Sequence, residues 1–164
     1  MIAYGSIRPK CDYKAMTILF VCSQNKLRSV VGSESLRARR PDLTIESGGI
    51  PKEGRKFGCK ANKRVREIIQ SRYGVDLSVY RSKALTKEMI ERADRIFVFS
   101  KHNREKLVEH FPSAEVKIEL FCKRSVSDWN VNPAEIFEQD ILPAVRHWDP
   151  LLKREQKKAP STIT

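Results

Sequence analysis

The sequence predicts an α/β fold: a three-layer domain with a central four-stranded parallel sheet and helices on both faces. Short apolar segments rich in β-branched and aromatic residues alternate along the chain with amphipathic segments of helical period, which is the pattern of β-α-β units. The first apolar segment, residues 16–21, suits a strand that is buried on both faces. With 164 residues and 40% hydrophobic content, the chain predicts one compact domain and excludes two of ordinary size.

The next segments predict the first two helices and a second strand. Residues 29–40 form a helix that stops before a proline, and residues 43–46 form the second strand. Residues 47–54 are expected to be a loop because glycine and proline are dense there. A second helix is predicted over residues 60–73, with Gly74 placed to end it.

The second half of the chain repeats this order. Thr86 is expected to cap a short helix that runs through Arg92, and a third strand follows over residues 95–99. Ser100 caps the next helix, which ends by Phe111, and the fourth strand is predicted over residues 116–121.

The last helix has a clear beginning and one interior defect. Asn132 is placed to cap it, Pro133 occupies the first helical position, and Glu135 completes a capping box. Pro143 lies inside this helix, so we expect a kink or a break there.

The ends of the chain are expected to lie outside the domain, which is predicted over residues 16–155. Residues 1–15 are interpreted as an extension and residues 156–164 as a basic, disordered tail. Apolar runs stay well short of the roughly 20 residues that a membrane helix needs, and no apolar signal segment precedes the domain. We therefore expect a cytoplasmic protein without membrane contact.

Charge and cysteine content narrow the partners and the chemistry. Lys and Arg number 32 against 20 Asp and Glu, a net charge of +12 that indicates anionic partners. The cysteines at 11, 22, 59 and 122 form no CxxC pair and no cluster with histidine, which disfavours a disulfide scaffold and a zinc ribbon. We expect no metal and no cofactor.

The segment CSQNKLRS, residues 22–29, lies at the carboxyl end of the first strand, where ligands bind in parallel α/β sheets. If it wraps into a cup, its backbone N–H groups and the helix that follows can hold a phosphate dianion. The same field favours the thiolate of Cys22, the form that attacks phosphorus. Arg28 can hold two phosphoryl oxygens, and the Ser29 hydroxyl can donate to the sulfur. The residues expected to contact substrate are Ser23, Gln24, Asn25, Lys26, Leu27 and Ser29.

A bare C-x5-R match also fits a buried structural cysteine and a solvated arginine. Two features favour the phosphate loop: the strand-loop-helix context, and Asn25, a residue type that tolerates left-handed backbone.

Asp128 lies in a loop after the fourth strand, where a carboxyl could protonate a leaving oxygen and later accept a proton from water. Spacing alone fits a solvated aspartate or a helix cap better. Trp129 is equally consistent with a wall that stacks on an aromatic leaving group and with a core anchor.

The residues of this loop, ILFVCSQNKLRS, resemble the signature of the low-molecular-weight protein tyrosine phosphatases, and the resemblance extends over about residues 16–155. Ser47-Gly48-Gly49 is similar to that family's S-A-G segment, whose serine braces the loop. YRSKALT, residues 80–86, is similar to its H-R-S-R-Q-L-T stretch, which makes Ser82 a second candidate for loop support. The resemblance implies the fold, the phosphatase activity, and the roles of Cys22, Arg28 and Asp128.

The chain departs from that family at several positions. Val30 replaces the usual proline after R-S, residues 32–34 replace the usual A-E, and Tyr80 replaces a histidine near the loop. Trp129 follows Asp128 without a spacer. From residues 47–58 we expect no aromatic wall of the substrate cleft.

A basic segment follows the loop. From residue 51 to residue 66 the charges sum to +6. This segment is either a solvated face or a surface that attracts an anionic substrate, such as an acidic phosphopeptide or a nucleic-acid phosphate end. Its charged residues are Lys52, Glu53, Arg55, Lys56, Lys60, Lys63, Arg64 and Arg66.

Together these observations predict a cysteine-dependent phosphatase that hydrolyses phosphate monoesters, most simply of phosphotyrosine in proteins, through a thiophosphate on Cys22. The main alternative is a phosphatase or phosphate-end binding protein that acts on nucleic acid or nucleotides. An arsenate reductase is less favoured because Cys59 and Cys122 lack the close pairing that a disulfide relay needs.

Overall fold

The structure is a computed structural model that describes residues 15–126 and 132–153. Four parallel strands form one sheet in the order β2-β1-β3-β4. The predicted four-stranded parallel sheet is therefore confirmed. The strands are β1 (Thr17–Cys22), β2 (Thr44–Gly49), β3 (Arg95–Val98) and β4 (Ile118–Leu120).

Helices cover both faces of this sheet, which gives the predicted three layers. Helices α1, α2, α5 and α6 lie on one face, and α3 and α4 on the other. A 3₁₀ helix (Pro112–Lys117) precedes β4, and another (Asp149–Leu151) follows α6. The α-helices are α1 (Arg28–Arg39), α2 (Lys63–Tyr73), α3 (Lys87–Arg92), α4 (Lys101–His110), α5 (Pro133–Ile136) and α6 (Leu142–Trp148).

Strand β1 is buried on both faces, as its sequence predicts. Ile18 and Phe20 pack into the core under α1 and α2, whereas Leu19 and Val21 pack into the core under α3 and α4. All four side chains are 0% exposed. Side chains that alternate along β1 thus pack into the cores on both faces of the sheet. This packing fixes the position of the carboxyl end of β1.

Strand β2 is longer than predicted, because Ser47, Gly48 and Gly49 belong to it rather than to a loop. These residues pair with the last residues of β1, and Gly49 lies opposite Cys22. A Cβ on Gly49 would lie 2.9 Å from the Ser23 carbonyl oxygen, so this close approach needs glycine. The expected loop over 47–54 therefore begins only after Gly49.

The predicted caps at Gly74, Thr86 and Ser100 are confirmed, whereas the residue that caps the beginning of α2 was not predicted. Asn62 caps α2 by accepting from two backbone N–H groups, so α2 begins at Lys63 rather than at residue 60. Gly74 ends α2 in the left-handed region, with φ of 70°. Thr86 and Ser100 cap α3 and α4. Strand β4 is shorter than predicted, since residues 116 and 117 close the preceding 3₁₀ helix.

The last helix is interrupted, as expected, although the irregular segment ends two residues before Pro143. Asn132 caps α5, a π-helical segment (Phe137–Ile141) follows, and α6 then resumes with Pro143 in its first turn. Proline has no N–H to donate, and its ring clashes with the carbonyl four residues earlier. The wider π turn accommodates both effects.

The strand order places a topological switch point between β1 and β3. Helix α1 leaves β1 on one face of the sheet and α4 leaves β3 on the other, so their beginnings flank a crevice at the carboxyl edge. In the described part of the chain, no helix combines the length and apolar character needed to cross a membrane. The predicted tail and residues 1–14 of the predicted extension lie outside the described residues.

Candidate active site

The loop between β1 and α1 carries the cysteine and the arginine of the sequence motif. Cys22 is the last residue of β1 and Arg28 the first of α1. Between them, Asn25 is the single described non-glycine residue with positive φ, at 59°. This left-handed residue lets the chain turn sharply over five residues. The tight loop is the geometry that the sequence predicts.

The sulfur of Cys22 faces the beginning of α1. Its Sγ lies 3.1 Å from Oγ of Ser29, and the Ser29 backbone N–H donates to it at 3.4 Å. Within the described residues, no side chain caps α1, so its first N–H groups remain directed toward the loop. Cys22 is 2% exposed. A helix N-terminus and a hydroxyl thus meet at the sulfur.

Asn25 holds the loop through every polar atom of its side chain. Its Nδ2 donates to Oγ of Ser29 at 2.9 Å and to Oγ of Ser47 at 3.0 Å. Its Oδ1 accepts from the Tyr80 hydroxyl at 2.6 Å and from the Lys83 backbone N–H at 2.9 Å. Because Ser29 Oγ accepts from Asn25, its own O–H is available to the sulfur. The structure therefore places Ser47 where loop support was expected.

Tyr80 occupies the place where the family resemblance leads one to expect a histidine. Besides Oδ1, its hydroxyl reaches the Asn25 carbonyl oxygen at 3.0 Å. Burial raises the pKa of Tyr80 to about 12, and the hydrogen-bond contacts with Ser47 and Asn25 only partly oppose this rise. The phenol therefore remains a neutral donor throughout the physiological pH range, which a histidine in the same place would not.

We expect Tyr80→Phe to lower kcat by about tenfold. The substitution removes the hydroxyl that donates to Asn25 Oδ1 at 2.6 Å, and this hydrogen bond helps to fix the loop. Stability should fall by about 1 kcal/mol. Steady-state kinetics and thermal unfolding check both effects. Tyr73→Phe, which removes a phenol from α2, is the matched control and should change neither quantity appreciably. Equal effects of both substitutions would contradict a role of Tyr80 in the loop.

Arg28 is buried at the crevice between β1 and β3, with 2% exposure. Its Nη1 donates to the Val126 carbonyl oxygen at 2.7 Å and to Oδ1 of Asn103 at 3.3 Å. Its Nη2 lies 3.5 Å from Oγ of Ser23, which also accepts from Nδ2 of Asn103 at 3.3 Å. The guanidinium is thus turned toward the loop and not toward solvent.

Sequence reasoning missed Asn103, which is 1% exposed and links Arg28 to Ser23. A signal was available, since Asn103 lies in the first turn of α4, directly after β3 at the carboxyl edge of the sheet. Its backbone N–H donates to Oγ of Ser100, the cap of α4. The cap that was predicted therefore also positions a residue of the site.

The other predicted loop residues differ in exposure. Gln24 is exposed, whereas Lys26 and Leu27 are half-buried. The Lys26 carbonyl oxygen accepts from the backbone N–H of Asn62, which ties the loop to the beginning of α2. These three residues therefore form the outer part of the loop.

Ser82, expected to support the loop, lies one step away from it. Its Oγ accepts from the backbone N–H of Cys59 at 3.0 Å, and its carbonyl oxygen accepts from Gly58. Ser82 thus holds the segment that borders the site rather than the loop itself. Asp128 and Trp129 lie outside the described residues.

An aromatic residue borders the site from the segment over 47–58, so the expectation of no aromatic there is wrong. The Phe57 ring packs on Gly49, where its Cε1 would lie 2.5 Å from an added Cβ. The same position is next to the backbone of Ser23 and Gln24. Phe57 stands among cationic residues in the sequence, and the absence of a side chain on Gly49 leaves room for its ring.

The described cysteines other than Cys22 form no disulfide with it. Cys22, Cys59 and Cys122 are free thiols. Burial raises the pKa of Cys122 to about 12, so this thiol stays protonated. Within residues 15–126 and 132–153, no three His, Cys, Asp or Glu side chains are grouped so that they could hold a metal ion.

A cysteine and an arginine at the two ends of a tight loop, between a parallel strand and a helix, define a cysteine-dependent phosphatase site. The family model for low molecular weight phosphotyrosine protein phosphatase matches residues 17–138 of this chain. The chain therefore belongs to the low molecular weight phosphotyrosine protein phosphatase family. This match confirms the family that the sequence predicts. It also confirms the enzyme class, a phosphoric monoester hydrolase that uses a cysteine.

Several relatives share this fold and sequence pattern. The chain is 32% identical over 100 residues to the low molecular weight protein-tyrosine-phosphatase Ptp of Acinetobacter johnsonii, a match that covers 61% of this chain and 68% of that protein. It is 28% identical over 101 residues to a protein-arginine-phosphatase of Geobacillus stearothermophilus, covering 61% and 65%. The solved structure of Vibrio vulnificus Wzb in complex with benzylphosphonate superimposes with a TM-score of 0.73 and 27% identity, covering 84% of this chain and 99% of that one.

Proposed function

We propose that this protein hydrolyses phosphotyrosine in proteins through a covalent thiophosphate on Cys22. The observation that carries the proposal is the arrangement of Cys22 Sγ at the beginning of α1, with Ser29 against it and Arg28 turned into the same loop. This arrangement suits a nucleophile next to a binding site for a dianion.

In the first step, the Cys22 thiolate attacks phosphorus in line with the leaving oxygen. A bond forms between sulfur and phosphorus as the bond between phosphorus and the tyrosine oxygen breaks. The loop N–H groups and the fork of Arg28 hold the remaining phosphoryl oxygens, whose charge is greatest in the transition state. Ser29 Oγ lies 3.1 Å from Sγ, and its hydroxyl donates to the sulfur once Cys22 is a thiolate, before attack and after release.

Asp128 is the proposed general acid of this step. It delivers its proton to the tyrosine oxygen, and as a carboxylate it then accepts a proton from water. That water attacks phosphorus, the sulfur-phosphorus bond breaks, and inorganic phosphate leaves. Val126, two residues before Asp128 in the sequence, accepts from Arg28 Nη1 through its carbonyl oxygen at 2.7 Å, which supports this assignment.

An aromatic leaving group is favoured by two observations. Phe57 packs on Gly49, which lies next to the first residues of the loop, where a ring could line the cleft. Wzb of Vibrio vulnificus, which shares this fold, is in complex with benzylphosphonate, a ligand with an aromatic ring and a phosphate-like group. The relation to a protein-arginine-phosphatase makes phosphoarginine the first competitor to exclude.

A substrate panel tests the proposal. Purified protein in excess EDTA should hydrolyse p-nitrophenyl phosphate, and kcat/KM should be higher for a phosphotyrosine peptide than for its phosphoserine and phosphoarginine counterparts. No hydrolysis of any of these compounds would end the proposal, and a preference for the phosphoarginine peptide would show that phosphotyrosine is not the substrate.

We expect Asp128→Asn to lower kcat for a phosphotyrosine peptide by about 10²- to 10³-fold, because the leaving oxygen is no longer protonated. The loss for p-nitrophenyl phosphate should be smaller, because nitrophenolate leaves more readily. Asp76→Asn, which changes another loop aspartate, is the matched control. A loss that is equal for both leaving groups would contradict the role as general acid.

The main alternative substrate is a nucleic-acid or nucleotide phosphate, which the basic segment over 51–66 would attract. A 5′-phosphorylated oligonucleotide and a nucleoside monophosphate, assayed at two salt concentrations beside the peptides, compare the two classes. Binding of the oligonucleotide without turnover of any ester would favour a phosphate-end binding protein.

A further inference from the structure

Beside the phosphate loop, most cations of the segment over 51–66 lack an acidic partner within the described residues. Elsewhere in the described chain, arginines pair repeatedly with acids, as Arg37 does with Glu34 and Arg92 with Glu46. In the segment over 51–66, only Arg64 has such a partner within the described residues, through Glu67. The cations of this segment without an acidic partner there are Lys52, Arg55, Lys56, Lys60, Lys63 and Arg66.

One member of this group, Arg55, is fixed against the phosphate loop. Its Nη1 donates to the carbonyl oxygens of Ser23, at 3.0 Å, and of Ile50, at 2.6 Å. Ser23 directly follows Cys22, and Arg55 is half-buried. A long side chain that is ordered in this way loses little further entropy when it binds a ligand. Its position at the first residue of the loop sets it apart from the exposed lysines of the segment.

The two contacts of Arg55 leave one edge of its guanidinium open. Within the described residues, Nε and Nη2 have no acceptor. The same edge binds a carboxylate with two parallel bonds elsewhere in this molecule: Arg40 holds Asp42 in this way, and Arg124 holds Asp140. Charge-assisted forks of this kind match carboxylates and phosphates.

We propose that Arg55 is a specificity-determining residue that binds, through Nε and Nη2, a second anionic group of the phosphotyrosine polypeptide. That group is a carboxylate or a second phosphate close to the phosphotyrosine. The inference rests on the proposed function and adds to it the class of substrate: phosphotyrosine within an acidic sequence. The surrounding lysines raise the local concentration of such a substrate, while Arg55 recognises it by contact.

The surroundings of Arg55 favour a polypeptide over a nucleic acid. Binding of single-stranded nucleic acid relies on several aromatic rings on which successive bases stack. Between residues 50 and 66, Phe57 is the sole aromatic residue in the sequence, and it packs on Gly49 at the loop. A single aromatic ring beside the phosphotyrosine and a single ordered guanidinium for a neighbouring anion suit a peptide that contacts this surface over a few residues.

A peptide series tests this proposal. A neutral phosphotyrosine peptide is compared with versions that carry one aspartate, or a second phosphotyrosine, at each of the two positions on either side. The quantity measured is the ratio of kcat/KM between each anionic peptide and the neutral one, for wild type, Arg55→Gln, Arg55→Lys and the control Lys87→Gln, at low and moderate salt. Lys87→Gln removes one positive charge on α3, away from the loop.

In wild type we expect at least one anionic peptide to be preferred by about tenfold, and Arg55→Gln to remove most of that preference. Arg55→Lys should lose it nearly as fully, because a lysine keeps the charge without the fork. Lys87→Gln should keep it. If the ratio of kcat/KM between anionic and neutral peptides is unchanged in Arg55→Gln, even with lower overall turnover, Arg55 only supports the loop. That result would overturn the proposal.

Two other results would also decide the matter. The wild-type enzyme could instead turn over a 5′-phosphorylated oligonucleotide faster than every acidic peptide, with this advantage lost in Arg55→Gln. That result would show that Arg55 binds an anionic group of a nucleic acid, and it would contradict the assignment to a polypeptide. Absence of hydrolysis of p-nitrophenyl phosphate by wild type would instead refute the proposed function, which is a distinguishable failure.

Discussion

Replacement of Cys22 by serine is expected to abolish hydrolysis of p-nitrophenyl phosphate and of phosphotyrosine peptides, with a loss of at least about 10⁴-fold in kcat. The oxygen of serine is a far weaker nucleophile than a thiolate, and nothing in the loop is arranged to remove its proton. The neighbours of Sγ, Ser29 Oγ and the Ser29 N–H, stabilise an anion but do not act as a base. Phosphate binding should persist, because the loop amides and Arg28 are unchanged.

The matched control is Cys59→Ser, a substitution of the same atoms at a half-buried free thiol outside the loop. It should retain activity close to wild type. Equilibrium binding of inorganic phosphate, measured by calorimetry, distinguishes loss of chemistry from loss of the site. Full activity of the Cys22→Ser variant would leave no basis for a cysteine mechanism.

Substitution of Arg28 by lysine should lower kcat by about 10³-fold, although the positive charge is retained. The planar fork of Arg28 reaches Val126 and Asn103 with Nη1 and approaches Ser23 with Nη2. A lysine has one nitrogen, which cannot keep these contacts and also hold two phosphoryl oxygens. Steady-state kinetics measure the loss, and thermal unfolding shows whether the variant is folded under the assay conditions.

The control for Arg28→Lys is Arg92→Lys, which changes an exposed arginine that binds Glu46 through its fork outside the site. Surface pairs of this kind contribute little to stability, so this variant should retain wild-type kinetics. If Arg28→Lys keeps more than a tenth of the wild-type kcat in a folded protein, the fork of Arg28 does not hold the transition state.

The strands could be predicted because a parallel sheet covered on both faces needs continuous apolar segments. β1 and β3 follow this rule closely. The carboxyl half of β2 does not, because Ser47, Gly48 and Gly49 have the composition of a turn. Their extended conformation depends on pairing with β1, and local sequence does not encode that pairing.

The site was predictable in the part that is contiguous in sequence. Cys22, Arg28 and Asn25 lie within one heptapeptide, and chemistry alone suggests what such a loop can hold. Asn103 and Phe57 were missed because their roles depend on tertiary placement: one lies across the switch point and the other folds back over Gly49. The principle that ligands bind at the carboxyl edge could have directed attention to the residues after β3.

Tyr80 shows a further limit of sequence comparison. It differs from the histidine that the family resemblance implies, yet its hydroxyl makes two contacts with Asn25 that hold the loop. The consequence of the replacement is electrostatic, since the phenol stays neutral where a histidine would titrate. Only the hydrogen-bond geometry shows that the support of the loop has been kept.

The most direct test of a covalent mechanism at Cys22 is to trap its intermediate. The enzyme is mixed with a phosphotyrosine peptide that carries labelled phosphorus, turnover is stopped by rapid denaturation, and the digested protein is analysed by mass spectrometry. We predict that the label forms a bond to sulfur in the peptide that contains Cys22, and that it is absent from the Cys22→Ser variant. Label on another residue, or peptide turnover with no labelled protein at any time, would contradict the mechanism.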